Sequence, residues 1–145
     1  MKVQDILQKK SSQVFTLQPH QTLAEASQIL TTNNVGALLV LNEQNHLVGI
    51  LSERDIVRQM AQRGEAVGSL TVGDIMTTAV LIALPNDDVA YVSNTMTNNR
   101  IRHLPVLERG ELVGIVSIGD VVKAQLDFYE GEAHFLQQYI TGGYT

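Results

Sequence analysis

The sequence predicts a mixed α/β protein built from two copies of one small unit. Three observations predict it. Leu47–Val57 (LVGILSERDIV) and Leu112–Val122 (LVGIVSIGDVV) agree at seven of eleven positions, where average composition gives about one. Weaker matches continue along most of the chain at offsets of 69, 66 and 65 residues, the pattern expected when loops change length and elements do not. Within each copy, extended and helical apolar patterns alternate in the same order, β-α-β-β-α. A repeat of nearly half the chain implies two units facing each other, and a cleft between them is a natural ligand site.

Each unit opens with a short helix or turn, Val3–Lys9 or Val72–Met76. An extended run follows, Val14–Leu17 or Val80–Leu84, each ending near a proline. The next segment is a helix. Leu23, Ala26, Ile29 and Leu30 share one face in the first copy, as do Val89, Val92 and Met96 in the second. Thr22 and Asp88 are suited to cap these helices. Two strands come next, Gly36–Leu41 with Leu47–Leu51 and His103–Leu107 with Leu112–Val116. Polar turns separate the members of each pair, so each reads as a hairpin. A closing helix starts at Ser52 or Ser117, and Gly64–Ser69 reads as the linker between units. The expected division is residues 1–66, 67–128 and a C-terminal appendage, 129–145, with a helix over Glu132–Ile140 followed by Gly142-Gly143.

Bulk properties remove several functions. The net charge of −5 and the lack of aromatics interleaved with basic residues argue against nucleic-acid binding. No apolar run approaches the roughly 20 residues that span a bilayer, and the N-terminal MKVQDILQKK has neither secretory nor transit character. The expectation is a soluble cytoplasmic protein. With no cysteine there is no disulfide, thiolate metal site or thiol catalysis. His20, His46, His103 and His134 lack metal-ligand spacing, and Asp87-Asp88 reads as a turn and cap.

The chemistry concentrates in Ser52-Glu53-Arg54-Asp55 and Ser117-Ile118-Gly119-Asp120, each following a glycine-anchored apolar strand and opening a helix. One reading is a capping box alone, although Asp is shorter than the Glu or Gln that normally reaches back. The other is a nucleotide site. Free N–H groups at a helix start attract phosphate, a carboxylate beside them can accept both hydroxyls of a ribose, and a serine hydroxyl can reach sugar or phosphate. Neither a G-x-G-x-x-G nor a P-loop is present.

With its duplicated β-α-β-β-α unit and repeated G-h-h-S-x-x-D segment, Gly49–Asp55 and Gly114–Asp120, the chain resembles a tandem pair of cystathionine-β-synthase (CBS) domains from Val3 to about Asp127. Gly36–Val40 and Arg102–Val106 are similar to that family's central strand, and Tyr139–Tyr144 resembles the ending of its small stand-alone members in bacteria and plant organelles. The resemblance implies two pseudo-twofold-related units packed sheet to sheet. It implies a regulatory sensor that takes AMP, ADP, ATP, NAD(P) or S-adenosylmethionine in clefts between the units, commonly as a homodimer. It also implies residue roles. Asp120 and Asp55 hold ribose hydroxyls, and Ser117 and Ser52 contact ribose or phosphate. Adenine lies beside Val80, Ile82 and the His103-Leu104 backbone in one cleft, and beside Phe15 and Ala37-Leu38 in the other.

Arg100, Arg102 and His103 cluster before Pro105, and Arg54 and Arg58 lie on the first Ser-x-x-Asp helix. Arginine suits bidentate phosphate contact, and Arg102 and Arg54 are the stronger candidates. The clefts are expected to differ, because Gly36 replaces Arg102 in the first copy and Gly119 replaces Arg54 in the second. Two rivals remain open. Ser117, His103 and Asp120 could be arranged as a catalytic triad, but no nucleophile elbow accompanies them, so no enzyme is expected. A ligand-independent dimerisation scaffold would keep Ser-x-x-Asp only as helix caps. A regulated partner protein is expected.

Overall fold

The computed structural model describes residues 1–10 and 13–140, with side chains through Tyr129. Tyr144 and the Gly142-Gly143 pair lie outside the described residues. Each repeat forms its own small sheet. In the first, β1 (Thr16–Leu17) pairs parallel with β2 (Ala37–Leu41), which pairs antiparallel with β3 (Leu47–Ser52). In the second, β4 (His103–Glu108) pairs antiparallel with β5 (Glu111–Ser117). The extended runs are shorter than their sequence patterns. The Val80–Leu84 run contributes one parallel bridge, Ala83 to Val106, made by backbone bonds to Pro105 and Leu107. The duplication reaches fine detail, since both hairpins carry a register irregularity at matched positions, Val40/Leu41 and Val106/Leu107.

Helices α2 (Leu23–Asn33) and α5 (Val89–Asn99) bury the faces that their periodicity marks. Thr22 caps α2 by accepting the Glu25 N–H at 3.2 Å. Asp88 stands at the cap of α5 without a capping bond, and its carboxylate pairs with Lys2 at 2.8 Å instead. The closing helices are α3 (Glu53–Arg63) and α6 (Ile118–Ile140). Helix α6 runs unbroken through the expected start of the appendage, so the 132–140 helix is its continuation and not a separate element. The linker is an ordered 3-10 turn, Gly64–Ser69, pinned by buried Val67.

The leading helices are exchanged between the repeats. Val3 and Ile6 of α1 (Val3–Lys9) are buried in the second core with Val92, Leu104 and Val116. Val72 of α4 (Val72–Ile75) is buried in the first core with Leu23, Leu38 and Leu51. Backbone bonds fix both exchanges, Val3 N–H to the Asp87 carbonyl at 2.9 Å and Val72 N–H to the Gln21 carbonyl at 2.7 Å. Burying a side chain of this size contributes about 1.5–3 kcal/mol, so each short helix ties the two units together. β2 is buried on both faces. Leu38 and Val40 enter the first core, while Ala37 and Leu39 turn toward His103 and Ile115 of the second sheet.

Candidate functional site

Two clefts form where the sheets face each other, of about 260 and 290 Å³. Each combines the helix cap of one repeat with the entry to the central hairpin of the other. The first cleft takes Ser52, Arg54 and Asp55 from the first repeat and Arg100, Arg102 and His103 from the second. The second takes Ser117 and Asp120 from the second repeat and Asn34, Gly36 and Ala37 from the first. In the repeat alignment Asn34, Gly36 and Ala37 correspond to Arg100, Arg102 and His103. That correspondence accounts for the charge difference between otherwise matched clefts. Gly36 and His103 line both.

Both Ser-x-x-Asp segments close a full capping box. Asp55 N–H donates to Ser52 Oγ at 3.2 Å, and Ser52 N–H donates to Asp55 Oδ2 at 2.9 Å. Asp120 and Ser117 repeat this at 3.1 and 2.9 Å. Aspartate therefore reaches back as well as a longer side chain does, against the expectation of an imperfect fit. The box uses one carboxylate oxygen of each aspartate and leaves the other. Asp55 Oδ1 is approached by Arg58 Nη1 at 3.5 Å, and among the described residues no hydrogen bond reaches Asp120 Oδ1. Capping and ligand binding are thus compatible in one side chain.

The arginines of the first cleft are poorly paired. Arg58 makes its long contact with Asp55, while Arg54, Arg100 and Arg102 form no ion pair among the described residues. Arg100 also caps the end of α5 with φ of 54°, a left-handed conformation that favours glycine or asparagine. Its counterpart Asn34 has φ of 52° in the same role. Like charges gathered without partners form a ready site for an anion. In the second cleft the cation is Lys10, which sequence reasoning missed. Its Nζ donates to Asp120 Oδ2 at 2.6 Å and to the Ile115 carbonyl at 2.6 Å. Nothing in the pattern around Lys10 connects it with a carboxylate 110 residues away.

Burial is the largest influence on the Asp120 carboxyl and opposes its ionisation. The Lys10 hydrogen bond, the Ser117 N–H and the Lys10 charge together outweigh it and hold the group below the usual carboxylate range. Burial lowers His103, assisted by the charges of Lys10 and Arg102 and opposed by Glu53 and Asp120.

The remaining predicted residues divide by face. Phe15 and Ala37 line the second cleft. Leu38 and Leu104 are 0% and 1% exposed and point into the cores, because strand alternation sends them away from the clefts, so only their backbone is available to a ligand. Val80 and Ile82 line neither cleft, and Ile82 is 40% exposed. Of their run only Ala83 bridges to the sheet, and Thr77 lines the first cleft.

The CBS domain profile matches residues 3–62 and 72–127. The chain belongs to the CBS-domain family. This CBS pair is 42% identical over 127 residues to a mitochondrial CBS domain-containing protein of Arabidopsis thaliana, covering 85% of this chain and 62% of the relative's length. It is similar in structure to a CBS-domain protein of Agrobacterium tumefaciens, with a TM-score of 0.83, 38% identity and coverage of 86% and 92% of the two chains. Two further CBS structures contain adenosine compounds. One, from Pyrobaculum aerophilum, is complexed with AMP (TM-score 0.74, 30% identity, 83% and 89% coverage). The other is the CBS pair of protein MJ0100 with 5′-methylthioadenosine and S-adenosyl-L-methionine (TM-score 0.77, 29% identity, 91% and 98% coverage). Among the described residues no helix is long and apolar enough to cross a membrane.

Proposed function

We propose that this CBS pair is a non-catalytic regulatory module that binds an adenosine nucleotide in its clefts. The observation that carries the reading is the pair of capping-box aspartates, each keeping one carboxylate oxygen outside the box at a cleft wall. A ribose diol needs such an acceptor, and the nearby helix start and arginines favour phosphate. The bound AMP and S-adenosylmethionine of related pairs support the same ligand class. The arginines of the first cleft favour nucleotides with more phosphate, ATP or NAD(P) among them. Isothermal titration against AMP, ADP, ATP, NAD⁺, NADPH and S-adenosylmethionine tests the reading. Saturable binding weakened by Asp55→Ala or Asp120→Ala supports it, and a folded protein that binds none of the panel refutes it.

The module acts as a homodimer in this reading. Val57 and Met60 on α3 and Val122, Leu126 and Tyr129 on α6 are 46–66% exposed, and such apolar positions are suited to burial against a second copy. If the titrations show no ligand, these faces favour the scaffold alternative. Light scattering measures the mass directly. The cytoplasmic location read from the sequence belongs to the proposal too, and because the Arabidopsis relative is mitochondrial, cell fractionation is its test.

A further inference from the structure

Lys10 does more than line the second cleft. It ends α1, the exchanged helix, and carries its ammonium to the carboxylate that faces the cleft. Both partners are partly withdrawn from water, with side chains 28% and 24% exposed. The ammonium sits on Oδ2, the oxygen that also takes the Ser117 N–H, so a ribose diol that takes the open Oδ1 comes to lie beside it. The Ile115 carbonyl and Asp120 Oδ2 take two of the three N–H donors of Lys10, which leaves one for a further acceptor. A ligand carrying an anion next to its ribose supplies that acceptor with a matching charge. An uncharged nucleoside offers none, and a cationic one adds repulsion. The adjoining groove shares Lys10 and Asp120 with the cleft and adds Lys9, Lys123 and Asp127, so lysines outnumber carboxylates along it.

We infer that Lys10 is a specificity-determining residue that makes the Asp120 cleft select phosphorylated adenosine over uncharged or cationic adenosine compounds. The inference rests on the reading of this cleft as an adenosine site. The Asp55 cleft has no equally close pair, since the cation on Asp55 is the exposed Arg58 at 3.5 Å.

The test is calorimetric titration of AMP and of adenosine into the full chain carrying Asp55→Asn, which removes the ribose acceptor of the other cleft. With Lys10 present, AMP binds at least tenfold more tightly than adenosine. Lys10→Met and Lys10→Gln reduce that ratio at least tenfold, and Lys10→Arg preserves it. Two neutral replacements are used in case one fails to fold, with circular dichroism as the check on each. An unchanged ratio in a folded neutral variant overturns the role of Lys10 and leaves the adenosine site standing. If neither compound binds any of the proteins, the adenosine reading of the cleft fails and this inference falls with it.

Discussion

Gly49 and Gly114 occupy the same place in the repeated motif, yet alanine is expected to act differently at the two. A Cβ on Gly49 lies 2.5 Å from Met76 Sδ, 2.9 Å from Met76 Cγ and 3.1 Å from the Thr77 carbonyl. Thr77 cannot easily retreat, because it exchanges backbone bonds with Ile50 at 3.0 and 2.9 Å. A Cβ on Gly114 lies 2.8 Å from Leu7 Cδ2, the far end of a flexible side chain. Overpacking of a fixed neighbour costs about 1–3 kcal/mol, and replacing glycine recovers about 0.4–1 kcal/mol from the unfolded chain. Gly49→Ala should therefore destabilise by about 1–2 kcal/mol, while Gly114→Ala stays within about 0.5 kcal/mol of the parent. With a urea slope of about 2 kcal/mol/M, the Gly49→Ala midpoint falls by about 0.5–1 M. Thr77 also lines the Asp55 cleft, so nucleotide affinity at that cleft should weaken in the same variant. Equal urea midpoints for the two alanine variants would refute the argument that the exchanged segments dictate these glycines.

Arg102→Ala should weaken ATP about tenfold or more, since a hydrogen bond to a charged group is worth about 1.5–3 kcal/mol. It should also flatten the salt dependence of binding, and titrations at two ionic strengths read both effects. For His103, burial disfavours the charged ring, with Lys10 and Arg102 adding to this and Glu53 and Asp120 opposing it. Its folded pKa lies below the ordinary 6.5, so the unfolded chain holds more protons between the two values. The stabilisation is complete above the unfolded pKa and is lost as pH falls through that window. Urea midpoints at pH 7.5 and 5.5 should differ less in His103→Gln than in the parent, and an equal difference would count against the burial argument.

What could be read in the sequence was whatever the duplication repeats. The hairpins, the helix faces and both Ser-x-x-Asp caps follow from short-range patterns that occur twice and support one another. The exchange of α1 and α4 could not be read, because Val3, Ile6 and Val72 mark an apolar face without saying which of two similar cores receives it. Lys10 was invisible for a related reason, since its partner is set by that exchange and not by its neighbours in the chain. Val80 and Ile82 stand outside the linings of both clefts, whereas the matching run in the first repeat contributes to the second cleft. In the second repeat only Ala83 makes the bridge, and the chain before it turns outward.

The residues shared by both clefts carry a further consequence. Gly36 stands where the second repeat has Arg102, and its missing side chain is filled by the imidazole of His103. A Cβ there would lie 3.3 Å from His103 Cε1 and Nε2 and 3.6 Å from Glu53 Oε1. The ring would have to give by a few tenths of an ångström, a small displacement for a side chain that is not fully buried. Stability should change by no more than about 0.5 kcal/mol once the entropic gain of replacing glycine is included. Ligand binding should change more, because His103 forms a wall of both clefts. Gly36→Ala is therefore expected to weaken nucleotide binding at the Asp55 cleft and at the Asp120 cleft together, with little loss of urea resistance. Titrations in Asp55→Asn and Asp120→Asn backgrounds report each cleft separately. Weakening of both is the outcome expected of a wall that Gly36 and His103 give to each cleft. Weakening of one alone would refute the shared-wall argument and mean that the ring gives way toward a single cleft.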